Sequence, residues 1–365
     1  MDLSDVRTAA ANDALDRTRT VRVAVDAMGG DHGPGEIVAG ALAYAAEDRG
    51  TELFLVGDEA LMATEVRGPL PENVTLVHAS QAIGMHEKPA IALREKRDSS
   101  ILVATGMVRD GRADAVVTAG HTGAGMAAAV LKLGRLRGVD RPALAVQIPT
   151  QHGPLILLDI GANPDSTPFN LSQYATMGAI YAEQVMGIAN PRVALLSIGE
   201  EKGKGDARIA EATELIDRLD LHFIGNVEGK DLPRGTADVV VCDAVLGNVV
   251  IKFFEGLSTA IIDEFRKEFR TPPFGPIAAL FFAPGIARIR RRLDYERLGG
   301  APLLGVRGVV IITHGRARRR MIRYAVGAGA LAARARIPDR IADALRGQEA
   351  PAPTDAEVAP TAAGG

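Results

Sequence analysis

The chain has 365 residues, of which 47% are hydrophobic and 24% are charged, and its formal net charge is −3. This balance is typical of globular proteins and excludes the strongly basic surface of a nucleic-acid-binding protein. The single cysteine, Cys242, excludes an intramolecular disulfide and a cysteine-ligated metal cluster. The first residues lack the apolar segment of a signal peptide, and no run approaches the ~18 apolar residues of a membrane-spanning helix. We therefore expect a cytoplasmic protein.

Apolar runs typical of strands alternate with helical patterns over residues 20–345. VRVAVDAM precedes a predicted helix near 35–48, ELFLVGD precedes EALMATEV, VTLVHA leads to a helix near 99–110, and ADAVVTAG leads to a helix that begins at Thr122. Six further strand runs are ALAVQIPT, PLILLDIGA, RVALLSIGE, HFIGNVEG, ADVVVCDA and VVIITHG. Nearly continuous apolar strands separated by helices indicate an α/β protein with three α/β/α layers and a mostly parallel sheet.

The two ends of the chain differ from this folded part. Residues 1–19 are polar and weakly patterned, which predicts a flexible extension. Residues 346–365 are rich in Pro, Ala and Gly, and they contain too little apolar surface to offset the entropy of ordering, which predicts a disordered tail. We therefore assign the single folded domain to residues 20–345.

Most of the strand runs end in glycine next to a polar residue, and we expect these ends to meet at one edge of the sheet and to form the ligand site. Familiar cofactor motifs are absent: GHTGAG lacks the dinucleotide spacing, and GEEKGKG is too short for a phosphate-binding P-loop. The histidines show no close metal-ligand spacing. The sequence therefore predicts no metal and no cofactor, and it disfavours covalent serine or cysteine catalysis, with Cys242 a buried structural residue.

Several strand-end motifs carry side chains that suit an anionic substrate. A helix beginning at Thr122 offers backbone N–H groups at Thr122, Gly123 and Ala124 to an anion, although a tight turn alone would also explain the glycines. KPAIALREKRDSS presents Lys88 and Arg94, which are either substrate-binding cations or a solvated basic face. Four more motifs follow strands. Each one alone would be explained by the residue preferences of turns, but their occurrence together favours a ligand site. They contribute Asp159, Gly161, Asn163, Gly199, Glu200, Lys202, Asn226, Glu228, Gly229, Asp243 and Asn248.

A segment from 271 to 300 combines a short apolar run with a cluster of arginines. This combination suits a helix that lies in a membrane interface beside anionic lipid. A dimer-interface or core helix with a basic solvent face would have the same composition. We predict a membrane or dimer tip at about 255–298, with membrane contacts at Phe281, Phe282, Ile286, Arg288, Arg290 and Arg291.

Taken in order, the motifs DAMGGD, KPAIALREKRDSS, GHTGA, DIGAN, SIGEEKGKG, GNVEGKD, CDAVLGN and DYERLGG resemble the bacterial phosphate acyltransferases of phospholipid synthesis, over roughly residues 21–337. The resemblance implies that inorganic phosphate attacks a fatty acyl thioester on acyl carrier protein, which gives acyl phosphate and free carrier protein. It implies a fold similar to phosphotransacetylases and the isocitrate dehydrogenase group, a homodimer, peripheral attachment to an anionic membrane surface, and a downstream membrane glycerol-3-phosphate acyltransferase. It implies no nucleic acid partner.

The resemblance also assigns roles to the DAMGGD stretch, whose two acids flank two glycines beside a supposed phosphate site. Two explanations are open. In the first, the glycines let the backbone approach the acyl or pantetheine part of the substrate. In the second, the acids have a structural role: they orient nearby cations and cap the next helix. We take the catalytic candidates to be Asp26, Lys88, Arg94, His121, Asp159, Asn226 and Asn248. The first motif adds the substrate-binding candidates Met28, Gly29, Gly30 and Asp31 to those given above.

The sequence departs from the family pattern at two places. His121 stands where the family usually has asparagine, and it adds a side chain that titrates near neutral pH. Residues 244–246 differ from the usual motif, which puts side-chain roles there in doubt but leaves Asn248 in place. Two alternatives remain open: a phosphate acetyl- or butyryltransferase that uses acyl-CoA, and a non-catalytic membrane-docking scaffold for lipid enzymes.

Overall fold

The computed structural model describes residues 19–201, 204–270, 281–282, 285, 288 and 294–348. Within them, eleven strands form one sheet. The strands are β1 (Val21–Asp26), β2 (Thr51–Gly57), β3 (Val74–His78), β4 (Ala115–Thr118), β5 (Ala143–Ile148), β6 (Leu155–Leu158), β7 (Val193–Leu196), β8 (Phe223–Val227), β9 (Val239–Val241), β10 (Ala301–Leu304) and β11 (Val309–Ile312). Their order across the sheet is β3-β2-β1-β4-β11-β10-β5-β6-β9-β7-β8.

The helices connect these strands and cover both faces of the sheet. They are α1 (Gly35–Glu47), α2 (Glu59–Glu65), α3 (Pro89–Glu95), α4 (Ser100–Arg109), α5 (Thr122–Lys132), α6 (Pro168–Gln184), α7 (Ala207–Ile216), α8 (Ala244–Arg270), α9 (Arg319–Arg334) and α10 (Ile337–Ala344). One core joins α1, α6, α7, α9 and α10 to one face of the sheet. On the other face, α3, α4 and α5 cover one half of the sheet and the start of α8 covers the other half.

Seven of the ten strand pairings are parallel, which confirms the three-layer α/β/α fold with a mostly parallel sheet. The parallel pairings fall into two groups, β3-β2-β1-β4-β11 and β6-β9-β7-β8. Strands β10 and β5 separate the groups, and each is antiparallel to both of its neighbours. The two groups therefore run in opposite directions.

This arrangement corrects the expectation that all strand ends meet at one edge. The carboxyl ends of the first group, at Asp26 and Thr118, lie at one edge, and those of the second group, at Leu158 and Val241, lie at the opposite edge. The cause is the β5–β6 hairpin, whose connection is too short for a parallel crossover. Strand β10 was also not predicted from the apolar runs, because four residues that include a proline give only a weak strand signal.

The longest helix, α8, leaves the sheet after its first turns. It has 27 residues and is about 40 Å long. By length and composition alone it could cross a membrane, although charged side chains interrupt its apolar sequence. Five exposed apolar side chains, four residues apart, form what we call the α8 stripe: Val249, Phe253, Leu257, Ile261 and Phe265.

Candidate active site

A cleft of 610 Å³ lies where the two halves of the sheet meet. Its walls are the start of α5, the loop after β6, the inner face of α8 and the end of β11, and its floor includes β5. Four of the residues proposed from the sequence line it, namely Thr122, Gly123, Gly161 and Asn248. The cleft thus brings together polar ends that belong to opposite edges of the sheet.

The start of α5 is the part of the cleft that suits an anion, but it offers fewer donors than expected. Gly123 donates its N–H to His121 Nδ1 at 3.0 Å, so the histidine caps the helix. Ala124 donates its N–H to the carbonyl oxygen of His121. Within the described part of the chain, the N–H of Thr122 has no partner. An anion at this terminus would therefore bind Thr122 rather than all three residues.

The glycines of DAMGGD bring three loops together. A side chain at Gly29 would place its Cβ 2.7 Å from Gly120 N. Gly30 has φ +80°, and a Cβ there would lie 2.8 Å from the carbonyl oxygen of Gly315. Asp31 donates its N–H to the same oxygen at 2.8 Å. The close approach at this motif is therefore between backbone segments that border the cleft, and no other residue type fits Gly29 or Gly30 without moving them.

Asp26 lies beneath this loop and is almost fully buried. It accepts a hydrogen bond from Thr118 Oγ1 at 2.7 Å and one from the N–H of Met28 at 3.3 Å. Burial raises the pKa of the carboxyl above its ordinary value, against the effect of these hydrogen bonds. Met28 in turn packs against Gly57. These contacts connect the ends of β1 and β4, and the catalytic role assigned to Asp26 remains a prediction.

Asp159 organises the loop on the opposite wall. It is fully buried and accepts N–H groups from Leu144 and from residues 161–163 at 2.7–3.1 Å. Burial raises its pKa, and the backbone donors act in the opposite direction. Asn163 donates from Nδ2 to Tyr174 Oη at 2.8 Å. The side chains of Asp159 and Asn163 both hold this loop, which places Gly161 in the cleft wall. The substrate contacts proposed for the two residues stay predictions.

The start of α8 is fixed by Asp243. Its Oδ1 accepts the N–H groups of Val245 and Leu246 at 3.0 and 2.9 Å, and its Oδ2 pairs with Arg208 at 2.9 Å. This is a helix cap built by a strand-end carboxylate. The preceding residue, Cys242, is buried, and burial raises its thiol pKa well above the ordinary value. The cap therefore sets the direction in which α8 leaves the sheet.

A close approach at Gly247 then holds α8 against the neighbouring loop. A Cβ at this position would lie 2.0 Å from the carbonyl oxygen of Asp159 and 3.0 Å from the Cα of Ile160. Glycine is therefore required for α8 to touch this backbone. The contact places Asn248, the next residue, on the cleft wall.

Glu200, Glu228 and Gly229 lie away from the cleft lining, at the ends of β7 and β8. Lys230 Nζ bridges the two carboxylates, at 3.2 Å from Glu200 and 3.1 Å from Glu228. This exposed ion cluster accounts for Glu200, Glu228 and Lys230 without a ligand, although exposed pairs of this kind contribute little to stability.

Asn226 and Gly199 lie in the same outlying region. Asn226 donates from Nδ2 to the carbonyl oxygen of Lys204 at 3.3 Å, and its buried Oδ1 has no partner among the described residues. Gly199 is buried directly after β7. Lys202, also proposed from this motif, lies outside the described residues.

The basic segment of α3 adjoins the start of α5. A Cβ at Gly123 would lie 3.3 Å from Pro89 Cγ, so the neighbouring Lys88 stands close to the cleft mouth. Lys88 and Arg94 are exposed, and neither forms an ion pair within the described chain. By contrast, Lys96 pairs with the carboxylate of the loop that leads into α3. Lys88 therefore has the better position of the two candidates to meet a substrate.

Many cleft residues were not among the proposed site residues, and the polar ones at the end of β11 and on α8 are Lys252, Glu255, Thr313 and His314. Lys252 Nζ pairs with Glu255 Oε2 at 2.9 Å. His314 Nδ1 accepts the backbone N–H of Arg316 at 3.2 Å, and burial followed by the charge of Lys252 lowers its pKa. Lys252 could have been found from the sequence, because it lies one helical turn after Asn248 and shares its face.

Thr313 is buried, with 3% of its surface exposed, and its Oγ1 has no hydrogen-bond partner among the described residues. An unpaired buried hydroxyl is unusual, because buried polar groups are nearly always satisfied. It lies on the cleft wall beside His314, so this hydroxyl is one of the polar groups that a ligand in the cleft would meet.

Comparisons with known proteins show which family the chain belongs to. A family model described as "Fatty acid synthesis protein" matches residues 21–340. The phosphate acyltransferase of Heliobacterium modesticaldum is 50% identical over 309 residues, which is 84% of this chain and 92% of that protein. That of Desulforudis audaxviator is 45% identical over 325 residues, covering 89% of this chain and 96% of that protein. The chain belongs to the phosphate acyltransferase family. It is therefore an acyltransferase, which confirms the resemblance drawn from the motifs.

Solved structures confirm the fold of this phosphate acyltransferase family member. A phosphotransacetylase from Streptococcus pyogenes superposes with a TM-score of 0.61 at 15% identity, covering 91% of this chain and 99% of the other. A branched-chain phosphotransacylase from Enterococcus faecalis V583 gives a TM-score of 0.54 at 15% identity, covering 86% and 99%. At this identity the likeness concerns the fold alone.

Proposed function

We propose that this enzyme transfers the acyl group of fatty acyl-acyl carrier protein to inorganic phosphate in phospholipid synthesis. The observation that carries the proposal is a single cleft in which a long apolar floor adjoins a polar end at Thr122, Lys252 and His314. A fatty acyl chain and a phosphate ion need these two environments side by side. No protein nucleophile is needed, because phosphate itself attacks the thioester.

Phosphate is proposed to bind at the polar end. The unpaired N–H of Thr122 stands at the start of an eleven-residue helix, where the backbone favours an anion. Lys252 supplies a positive charge from the opposite wall, shared with its ion-pair partner Glu255, and the unpaired Thr313 Oγ1 supplies a further hydrogen-bonding group. These three groups come from three different elements, so the sheet and α8 together determine their spacing.

The acyl chain is proposed to lie along the apolar floor and walls, formed in part by Met126, Leu144, Val146, Ile160 and Phe254. Each methylene buried there contributes about 0.8 kcal/mol to binding. The cleft volume of 610 Å³ lies within the usual range for ligand pockets of about 300–1,000 Å³. Long chains would therefore bind more tightly than acetyl groups, which favours a fatty acyl substrate over the acetyl- or butyryltransferase alternative.

In the proposed reaction, a phosphate oxygen forms a bond to the thioester carbonyl carbon and the carbon–sulfur bond then breaks. The proton of hydrogenphosphate balances the thiolate, so that acyl phosphate and thiol result. Because His314 Nδ1 accepts a backbone N–H, the proton of the neutral ring lies on Nε2. We assign this Nε2–H as a hydrogen-bond donor to the departing sulfur, which takes its proton from the hydrogenphosphate while the ring stays neutral. The cleft contributes mainly by holding phosphate and thioester together and by stabilising the oxyanion.

The test compares acyl carrier protein and acyl-CoA substrates of the same chain length, with mass spectrometry of the acyl phosphate. Preference for the carrier substrate supports the proposal, and preference for acyl-CoA favours the alternative transferase. A protein that forms no acyl phosphate from either would be the non-catalytic scaffold. Lys252→Met and His314→Gln should each lower kcat by at least about tenfold. The control is Arg266→Met, on the same helix but in an exposed ion pair.

We also propose a cytoplasmic homodimer that attaches to the membrane and passes acyl phosphate to a membrane glycerol-3-phosphate acyltransferase. The α8 stripe supports self-association, because a continuous apolar surface of this length is rarely left in water. Phe281 and Phe282 are 76% and 63% exposed, and Arg288 is exposed too, which supports membrane contact. The other proposed contacts, Ile286, Arg290 and Arg291, lie outside the described residues.

Sedimentation with anionic liposomes tests the membrane contact. Phe281→Asp or Phe282→Asp should lower the fraction bound more than it lowers turnover in solution, because a charge replaces an apolar side chain that would enter the bilayer interface. Equal sedimentation of parent and variant would contradict this contact.

A further inference from the structure

The loop between β11 and α9 carries the arginine-rich sequence HGRARRR, residues 314–320, and the structure separates its arginines into two kinds. Arg319 pairs with Glu36 at 2.6 Å, and Arg320 pairs with Asp294 and Glu296. These two side chains hold neighbouring segments together. Arg316 and Arg318 are both exposed, and neither has an ion-pair partner among the residues that the structure describes.

The two unpaired arginines lie at the rim of the cleft. His314 precedes them and Met321 follows them, and both of these residues line the cleft. On the neighbouring rim, Lys88 is a third exposed cation without an ion pair, beside the start of α5. We call Lys88, Arg316 and Arg318 the cationic rim. Opposing charges also lie in this region: Glu255 and the exposed Asp31 both act on His314, and the charge of Arg318 helps to lower the pKa of Glu36.

We propose that the cationic rim docks an acidic surface of the carrier protein and so guides its thioester into the cleft. This inference rests on the proposed function, and it adds to it the surface that receives the protein part of the substrate. A carrier-bound thioester must enter where the cleft opens, so its protein part comes to lie on the rim. Charges at an interface rim accelerate encounter and fix orientation more than they add affinity.

The range of these charges limits which partner they affect. At physiological ionic strength the Debye length is about 8 Å, so exposed cations act mainly on groups that come into contact. A small thioester carries no acidic protein surface, so its binding would not depend on Arg316 or Arg318. Sensitivity to the size and charge of the substrate carrier therefore separates docking from a role in chemistry.

The experiment measures steady-state kinetics of the double variant Arg316→Glu/Arg318→Glu with one long acyl chain on two carriers: acyl carrier protein and N-acetylcysteamine. The matched control is Arg218→Glu, an exposed position without an ion pair in the described chain, in the loop between α7 and the edge strand β8. Neither change removes a buried contact, and glutamate near the start of α9 suits the helix dipole. Circular dichroism checks that each variant remains folded.

We expect the double variant to raise KM for the carrier-protein substrate roughly tenfold at low salt, while any change in kcat is the same for both thioesters, because the charge of Arg316 also acts on His314. The effect should shrink as salt is added, and neither the cysteamine thioester nor the Arg218→Glu control should show it. An equal rise in KM with both thioesters, or a double variant whose KM matches that of the control, would overturn the proposal. So would weaker liposome binding with an unchanged carrier KM, which would assign the rim to the membrane. If the parent makes no acyl phosphate from either thioester, the proposed function itself fails, and docking with it.

Discussion

Replacing Gly247 with alanine tests how α8 is held against the cleft. The added Cβ would lie 2.0 Å from the carbonyl oxygen of Asp159, and real Cβ contacts are essentially never below 3.0 Å. The first turn of α8 must therefore move by about 1 Å, and it would carry Asn248 and Lys252 with it. A misplacement of this size at a reacting site lowers the rate by about 100-fold. Overpacking costs about 1–3 kcal/mol of unfolding free energy.

The matched control is Gly256→Ala in the same helix, where an added Cβ meets nothing within 4 Å. Alanine is the better helix former by about 1 kcal/mol, so this variant should be as stable as the parent or more so. The assay combines urea unfolding with the rate of acyl phosphate formation. If Gly247→Ala matches Gly256→Ala in both measurements, the close approach does not position the cleft wall.

Three further predictions concern the cap of α5, an ion pair and the α8 stripe. His121→Asn should remain active, because an asparagine side chain can also accept the N–H of Gly123, whereas His121→Ala removes the cap and should cost about 1 kcal/mol in urea unfolding; equal stability of the two variants would contradict the capping role. Glu36 has its pKa lowered to about 2 by Arg319, so its contribution to stability is present above pH 4.5 and is lost as the pH falls towards 2. Glu36→Gln should therefore cost about 0.5–1 kcal/mol in urea unfolding at pH 7 and less at pH 3, and an equal cost at both values would contradict this. Phe253→Glu should convert the proposed dimer to monomer in light scattering, and an unchanged mass would exclude the stripe as its interface.

The sequence predicted the layers of the fold well, because its signals there are local. Alternating apolar runs and helical patterns identified ten of the strands and predicted the helix starts near Gly35 and Thr122. The direction of the second half of the sheet escaped prediction, although the short connection between β5 and β6 was a usable signal. Strand direction depends on pairing between distant segments, and an apolar run contains no information about its partner.

The site was predicted in part. Thr122, Gly161 and Asn248 lie together in the cleft as expected, although the motifs that contain them are far apart in the chain. Sequence motifs alone do not separate polar residues that face a ligand from polar residues that hold loops. Asp159 shows the difficulty, since a buried carboxylate that accepts several backbone N–H groups has the same sequence signal as a catalytic acid. His314 was missed because its role depends on α8 facing it across the cleft.

The most direct test of the account is the reaction itself. Purified enzyme, a long-chain acyl-acyl carrier protein and inorganic phosphate are combined, and the products are followed by phosphorus NMR and mass spectrometry. The account predicts acyl phosphate and free carrier protein in equal amounts, with no turnover when phosphate is left out. Release of free fatty acid without acyl phosphate, or an unchanged thioester, would contradict it.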